Sequence, residues 1–246
     1  WLQGNPSPVY YQRTKGKRSI MERVICLLIG YIFGLFQTAY FYGKAKGIDI
    51  RKYGSGNAGT TNALRVLGTK AGLIVLAGDC LKCIIAVCIT RALFSTGHPE
   101  NIYLLCLYTG AGAVIGHNFP FYMGFKGGKG IAATAGLILS FHPYFIVMGV
   151  VLFFGTFLTT HYVSLGSLLV YAGFMIQMVV CGQMGLFMPQ SQLYEMYAIT
   201  AFLTVMAYWK HRQNIVRLIH GNERKTYLFK NKKSAEAQTE ISGEDK

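Results

Sequence analysis

The residues of this chain that are best suited to chemistry lie in three short polar clusters of an otherwise apolar sequence. The first cluster contains three closely spaced glycines, whose flexible backbone lets successive N–H groups converge on an anion. Hydroxyl, amide and guanidinium side chains accompany them, and the guanidinium shares one face of a predicted short helix. A plain connecting loop is the alternative, but it does not require all of these groups together. We therefore predict a phosphate-binding loop with the candidate residues Ser55, Gly56, Asn57, Gly59, Thr61, Asn62 and Arg65.

The second cluster precedes a short apolar stretch and contains the sequence GGKG. Glycines at the start of a helix expose free N–H groups and the positive end of the helix dipole, which together favour phosphate. A lysine adds a point charge, although the spacing is not that of a nucleotide-binding P-loop. The cluster predicts a second anion site with the candidate residues His117, Lys126, Gly127, Gly128, Lys129 and Gly130.

The third cluster follows the last apolar stretch. His211, Asn214 and Arg217 recur every three residues, so they share one face of a helix. Positive charge at the end of a membrane helix also fits a plain cytoplasmic anchor. That alternative accounts for the basic residues but leaves His211 and Asn214 unexplained. Glu223 closes the cluster.

Carboxylates are scarce in this sequence, and their scarcity argues against several reaction classes. No two carboxylates sit together as an acid–base pair, and no Asp, Glu and His residues have the spacing of a metal site. We therefore expect neither a metal nor a cofactor. Asp79 and Lys82 lie three residues apart inside an apolar stretch, where isolated charges are unfavourable. We expect them to pair, to face the interior of the bundle and to have a structural role.

The elements that carry these clusters are apolar helices. Hydrophobic residues make up 52% of the 246 residues and charged residues only 14%, a balance that indicates a membrane protein. The net charge of +14 then favours an anionic lipid or substrate over nucleic acid as the partner. A helix needs about 20 apolar residues to cross a bilayer. We predict an all-α integral membrane protein with about seven transmembrane helices, or five or six, near residues 23–42, 71–94, 102–119, Ile131–Phe141, 144–159, 164–187 and 194–210.

The loops between these helices predict their orientation and the organisation of the chain. Alternate loops are rich in lysine and arginine, and such loops face the cytoplasm. The N-terminus is then outside, while the C-terminus and all three clusters are cytoplasmic. The fourth helix is short and is a candidate re-entrant or half-crossing segment. We expect residues 1–20 to be a non-functional extension, 21–225 a single membrane domain and 226–246 a disordered cytoplasmic tail.

The three clusters, in this order and spacing, resemble the signature segments of the bacterial acyl-phosphate:glycerol-3-phosphate acyltransferases, the PlsY family. The segments concerned are GSGNAGTTNALR, GHNFPFYMGFKGGKGIAAT and HRQNIVRLIHGNERK, and the likeness covers about residues 21–225. The resemblance implies a multi-pass enzyme of the bacterial plasma membrane that acylates the 1-hydroxyl of glycerol 3-phosphate from acyl phosphate. The products are lysophosphatidic acid and phosphate, in the first acylation of phospholipid synthesis. Its implied partners are both substrates and the lipid bilayer, and an enzyme that produces the acyl phosphate is a candidate partner.

The resemblance also implies roles for individual residues. It assigns a structural role to Glu223 and catalytic roles to Ser55, Arg65, Lys129, His211 and Asn214. Two departures lie in the first helix, where the family usually has GSIP and this chain has Leu35 and Gln37 in place of the serine and the proline. The alternative function is a transporter for a phosphorylated metabolite. Transporters often have repeated halves, and no repeat is obvious here.

Overall fold

The structure is a computed structural model that describes residues 8–227, with side chains described from residue 19 onwards. Residues 1–7 and 228–246, which include most of the predicted tail and part of the predicted extension, lie outside the described residues. The described residues form ten α-helices: α1 (Pro8–Gly34), α2 (Thr38–Ala45), α3 (Thr60–Leu67), α4 (Thr69–Phe94), α5 (Ile102–Asn118), α6 (Ile131–Phe141), α7 (Pro143–Thr160), α8 (Val163–Gln183), α9 (Leu193–Lys210) and α10 (Arg212–Ile219).

Apolar helices long enough to cross a membrane dominate this fold. Within residues 8–227, five segments meet both requirements of length and apolar composition: Ser19–Ala45, Thr69–Phe94, Pro99–Met123, Pro143–Thr160 and Val163–Gln183. Helix α9 has 18 residues and packs beside α5 and α8. Helix α6 has 11 residues, which is about half of the length needed for a bilayer. The predicted all-helical membrane fold is confirmed, whereas the count of seven and the direction of the termini stay predictions.

The first predicted transmembrane helix, at residues 23–42, is broken into α1 and α2. Carbonyls at a helix end lack intrahelical partners. At this break, side chains inside the bundle donate hydrogen bonds to such carbonyls. Gln37 Nε2 donates to the last carbonyl of α1 (3.2 Å) and to the carbonyl of His117 (3.1 Å). Lys82 Nζ, from α4, donates to the carbonyl of Phe36 (2.7 Å). The predicted span at residues 23–42 lies within the apolar segment Ser19–Ala45, but the sequence did not predict the break, because its donors come largely from distant segments.

Helices α1 and α5 are in backbone contact through glycines. A Cβ on Gly30 would lie 1.9 Å from the carbonyl oxygen of Thr109, and a Cβ on Gly112 would lie 2.1 Å from that of Leu27. Membrane helices associate closely where small residues face each other, because van der Waals packing replaces the hydrophobic effect there. This seam fixes α5, whose carboxyl-terminal turn carries His117.

The short helix α6 ends inside the bundle, so its last carbonyls need partners from the protein. Arg91, near the end of α4, donates from Nη2 to the carbonyls of Ser140 (3.1 Å) and Phe141 (2.8 Å). A positive charge at the carboxyl end of a helix also complements the helix dipole. Arg91 thereby supplies partners for two of the last carbonyls of a helix that is half as long as the membrane is thick.

We expect Arg91→Met to destabilise the fold, because it leaves the carboxyl end of α6 without its charged donor. Each buried group left without a partner costs about 1–3 kcal/mol, and thermal unfolding of the detergent-solubilised protein measures the effect. Arg91→Lys keeps the charge and should fall between wild type and Arg91→Met. An unfolding temperature of Arg91→Met equal to that of wild type would show that the carbonyls do not depend on this side chain.

Candidate active site

A single cavity of about 440 Å³ lies at the end of the bundle where α5 and α9 end and where α4, α6 and α8 begin. Its walls contain residues from all three polar clusters, although long apolar helices separate the clusters in sequence. The cavity is lined by the five residues predicted to be catalytic: Ser55, Arg65, Lys129, His211 and Asn214. The structure therefore brings the three clusters together.

The glycine-rich loop of the first cluster is held by Asn62 at the start of α3. Asn62 Oδ1 accepts from the N–H of Ser55 (2.8 Å), and Nδ2 donates to the carbonyls of Ile50 (3.1 Å) and Tyr53 (3.0 Å). Asn62 also lines the cavity, and its predicted role in binding substrate stays a prediction. Its hydrogen bonds shape the loop, whose other candidates line the cavity as well: Ser55, Gly56, Asn57, Gly59 and Thr61.

Two glycines of the second cluster do not offer the N–H groups predicted for phosphate. The N–H of Gly127 donates to the carbonyl of Asn118 (3.2 Å), and that of Gly128 donates to the carbonyl of His117 (3.1 Å). Neither glycine lines the cavity. Their small size has another reason, since a Cβ on Gly128 would lie 2.1 Å from His117 Nε2. These glycines pack the loop against α5 and so correct the expectation of a backbone anion site.

Lys129 is the cationic group that the second cluster contributes to the cavity, which it lines together with Gly130. Lys126 is exposed and lies outside the cavity, contrary to its predicted binding role. The ammonium of Lys129 donates to the side-chain oxygen of Asn214. Burial lowers the pKa of Lys129 to about 8, against the opposing influence of Glu223. Lys129 is therefore still protonated at neutral pH but loses its charge at moderately alkaline pH.

Glu223 organises the third cluster. Its carboxylate accepts from Asn214 Nδ2 (2.7 Å), Arg217 Nε (2.7 Å) and Ser164 Oγ (3.0 Å). Burial alone would raise the pKa of Glu223, but these donors hold it below its ordinary value. Because Asn214 gives its N–H₂ group to Glu223, its oxygen is left to face Lys129. This geometry fits the structural role that the resemblance implies for Glu223.

His211 lies between α9 and α10 and is almost fully buried. Its Nδ1 is 2.8 Å from the carbonyl oxygen of Ala207. A carbonyl only accepts, so Nδ1 carries the proton and Nε2 carries the lone pair. The sequence shows no carboxylate suited to orient this ring, and a backbone carbonyl performs that task instead. Burial and the nearby Lys129 lower the pKa of His211 to about 4, so the ring is neutral at neutral pH.

Arg65 is held by the segment that follows α10. Its Nη2 donates to Thr226 Oγ1 (2.7 Å) and to the carbonyl of Arg224 (3.1 Å). The N–H of Thr226 donates in turn to the carbonyl of His161 (2.9 Å). Thr226 is buried and belongs to the folded body, although the sequence placed residues 226–246 in a disordered tail. A lone threonine among charged residues offered no pattern from which this contact could be predicted.

Asp79, Lys82 and His117 form a buried network below the cavity. Lys82 Nζ is 2.9 Å from Asp79 Oδ1 and 2.8 Å from His117 Nδ1, so the predicted ion pair is present. Asp79 and His117 also line the cavity. Ser164 and Ser167 are among the lining residues that the sequence did not predict, because they are small residues at the start of an apolar helix. Among residues 8–227, no group of three or more His, Cys, Asp or Glu side chains is arranged to hold a metal ion.

The fold and the cavity define an integral membrane protein with a cavity rich in cationic and amide groups at one end of its helical bundle. Comparison with known families agrees with this class, since the profile of the family described as "Glycerol-3-phosphate acyltransferase" matches residues 24–221. The chain belongs to the glycerol-3-phosphate acyltransferase family, the PlsY family. It is therefore an acyltransferase embedded in the membrane through several helices.

Individual relatives support this assignment. A glycerol-3-phosphate acyltransferase of Halalkalibacterium halodurans is 40% identical over 207 residues, which cover 83% of this chain and 96% of the relative. One of Clostridioides difficile is 37% identical over 208 residues, covering 84% and 96%. The crystal structure of PlsY, an integral membrane glycerol 3-phosphate acyltransferase, in its glycerol 3-phosphate form has a TM-score of 0.72 at 29% identity, covering 83% of this chain and 96% of PlsY. Its lysophosphatidic acid form has a TM-score of 0.69 at 30% identity.

We expect Thr226→Val to weaken substrate use, because it removes the hydroxyl that holds Arg65. Loss of one such hydrogen bond is worth about 1 kcal/mol, or about a fivefold fall in kcat/KM for acyl transfer. Steady-state kinetics with glycerol 3-phosphate measures the change. Thr226→Ser keeps the hydroxyl and should behave like wild type. Equal kinetics for Thr226→Val and Thr226→Ser would show that the hydroxyl does not position Arg65.

Proposed function

We propose that this enzyme transfers the acyl group of an acyl phosphate to the 1-hydroxyl of glycerol 3-phosphate at the cytoplasmic face of the bacterial plasma membrane. The products are lysophosphatidic acid and inorganic phosphate. The observation that carries the proposal is the convergence of three cation- and amide-rich clusters on one cavity at one end of an apolar bundle. The basic loops at that end support its cytoplasmic side, following the positive-inside rule.

The composition of the cavity suits both proposed substrates. Its cations can bind the two phosphate groups, and they are Arg65, Lys129, Arg217 and Arg224. Apolar residues from α4, α6 and α7 line the same cavity and can contact the start of a fatty chain: Leu76, Ile131 and Phe153. Polar heads and an apolar tail would thus meet at the boundary between water and lipid, where the reacting groups have to come together.

The proposed chemistry is direct acyl transfer, because an acyl phosphate already carries a good leaving group. The hydroxyl oxygen of glycerol 3-phosphate bonds to the acyl carbon, the bond from that carbon to the phosphate oxygen breaks, and phosphate leaves. Holding the two substrates in a reactive geometry supplies much of the acceleration, up to about 7–11 kcal/mol in well-oriented systems. Lys129 stabilises the charge that accumulates on the departing phosphate.

His211 orients the attacking hydroxyl rather than removing its proton. Its Nε2 lone pair accepts the hydroxyl hydrogen bond, since Nδ1 is already engaged with Ala207. With a pKa of about 4, this imidazole is a weaker base than a phosphate group, whose second pKa is about 6. Two pKa units correspond to about 2.7 kcal/mol. The proton therefore ends on phosphate, and the role of His211 is that of a hydrogen-bond acceptor.

Proteoliposomes supplied with labelled glycerol 3-phosphate and palmitoyl phosphate test this function against the transporter alternative. The enzyme should form labelled lysophosphatidic acid, and formation should depend on palmitoyl phosphate. Label that accumulates unchanged in the lumen would indicate a carrier instead. Palmitoyl-CoA in place of palmitoyl phosphate should give no product, and equal product from palmitoyl-CoA would contradict the proposed donor.

A further inference from the structure

The buried Lys82 sets the hydrogen-bonding state of His117. Lys82 Nζ lies 2.7 Å from the carbonyl of Phe36, 2.9 Å from Asp79 Oδ1 and 2.8 Å from His117 Nδ1, with a longer contact of 3.3 Å to the last carbonyl of α1. An ammonium group has three protons and no lone pair, so it donates in all three short contacts. His117 Nδ1 is therefore the acceptor, and the ring proton is on Nε2.

The protonated nitrogen of His117 belongs to a side chain in the cavity wall. His117 is 3% exposed and lines the cavity. Its Nε2 packs against Gly128, where a Cβ would lie only 2.1 Å away, and thus against the loop that carries Lys129. Among the described residues, no protein group accepts a hydrogen bond from this N–H. A donor that has no protein partner, on a side chain at a cavity wall, points to an acceptor on a ligand.

The two histidines of the cavity are thus fixed in opposite tautomers. His211 presents a lone pair at Nε2 because Nδ1 donates to the carbonyl of Ala207, whereas His117 presents an N–H at Nε2 because Nδ1 accepts from Lys82. One ring can accept from a hydroxyl, and the other can donate to an oxygen. A neutral donor is useful here, since the cavity already holds several cations that repel one another.

We propose that His117 donates a hydrogen bond from Nε2–H to a negatively charged oxygen of the bound substrates, and that Lys82 is the positioning residue that fixes this tautomer. The proposal rests on the proposed function. The acceptor is either the acyl oxygen, on which charge develops during attack, or a phosphate oxygen. A fixed donor of this kind needs no rearrangement when charge develops, and this is the condition for effective stabilisation.

Substitutions at His117 test the donor. His117→Leu removes the N–H and should lower kcat about 100-fold if the acceptor is the acyl oxygen, as for loss of one oxyanion donor. A phosphate acceptor would instead raise the KM of the substrate that carries that phosphate. His117→Gln keeps an N–H at a similar reach and should retain activity within about tenfold of wild type. Wild-type kinetics in His117→Leu, or equal losses in both folded variants, would overturn the proposal.

The tautomer can be observed independently of activity. In the full-length protein labelled with ¹⁵N-histidine, the His117 signals, assigned by their loss in His117→Gln, should report protonated Nε2 and unprotonated Nδ1. Lys82→Met should abolish that signature and lower acyl transfer about as much as His117→Leu. Thr38→Val is the matched control, since it removes another hydrogen bond of Asp79 (3.0 Å) without touching His117, and it should keep both tautomer and rate.

Three further outcomes distinguish the tautomer of His117, the role of Lys82 and the proposed function. Protonated Nδ1 in the wild-type spectrum would overturn the proposal even if Lys82→Met fails to fold. An unchanged tautomer in folded Lys82→Met would remove the positioning role of Lys82. Failure of the proposed function would look different, because wild-type protein would then form no lysophosphatidic acid while its His117 signals still reported the tautomer.

Discussion

Lys129→Ala will lower acyl transfer from palmitoyl phosphate by about 1000-fold, the upper range for loss of one charge-stabilising group in an active site. Lys129 lines the cavity as a partly buried cation, and Asn214 binds its ammonium. Formation of lysophosphatidic acid by purified protein measures the loss. Lys126→Ala is the matched control, because Lys126 lies in the same loop but is exposed and outside the cavity. Similar losses in both variants would mean that the loop contributes only general positive charge.

The pH dependence of the wild-type enzyme should also report the charge of Lys129. The pKa of Lys129 is lowered to about 8, so the ammonium is present below pH 8 and is lost as pH rises through that value. We expect kcat/KM, which reports groups of the free enzyme, to fall above about pH 8. In Lys129→Arg this alkaline fall should disappear, because a guanidinium stays protonated to about pH 12. The same fall in Lys129→Arg would assign it to another group.

Arg65→Ala is the second variant for which we expect a large loss, about 100-fold or more in kcat/KM. The guanidinium lines the cavity while Thr226 and Arg224 hold one of its nitrogens, so it offers substrate a fixed planar fork. Arg65→Lys should recover little, because an ammonium cannot reproduce two parallel hydrogen bonds to phosphate. Arg212→Ala is the control, since Arg212 is exposed, stacks on Trp209 and does not line the cavity.

Both predictions depend on one site, and His211→Ala extends the test to the third cluster. His211→Ala removes the hydrogen-bond acceptor proposed for the attacking hydroxyl and should also lower kcat strongly. Full activity in the alanine variants of Lys129, Arg65 and His211 would refute the site as a whole. Loss in these three with retention in Lys126→Ala and Arg212→Ala would separate the cavity from the surrounding basic surface.

The sequence predicted the parts of the fold that depend on local pattern. For α4 to α9, runs of apolar residues located the helices within about four residues, and α6 was recognised as short because polar segments flank it. The convergence of the clusters was also predictable, since alternate ends of consecutive membrane helices face the same side. Hydropathy was sufficient for these features because apolar runs locate the helices, and the order of the helices determines which loops share a side.

The parts that were missed depend on contacts between distant segments. The break near Gln37 needs Lys82 from another helix, and the carbonyls that occupy the N–H groups of Gly127 and Gly128 come from α5. Asn62 and Lys126 were assigned to substrate because an amide and an amine suit phosphate, but Asn62 holds its own loop and Lys126 is exposed outside the cavity. Residue type states what a side chain can bind, but not which neighbour has already bound it.

The backbone contact between α1 and α5 limits where an acyl chain can enter the cavity from the bilayer. A seam so tight that a single methyl group would collide with a carbonyl is closed to lipid. The apolar lining of the cavity instead comes from α4, α6, α7 and α8. We therefore expect fatty chains to enter and leave between α4, α6, α7 and α8, so that only one side of the bundle exchanges acyl chains with the surrounding lipid.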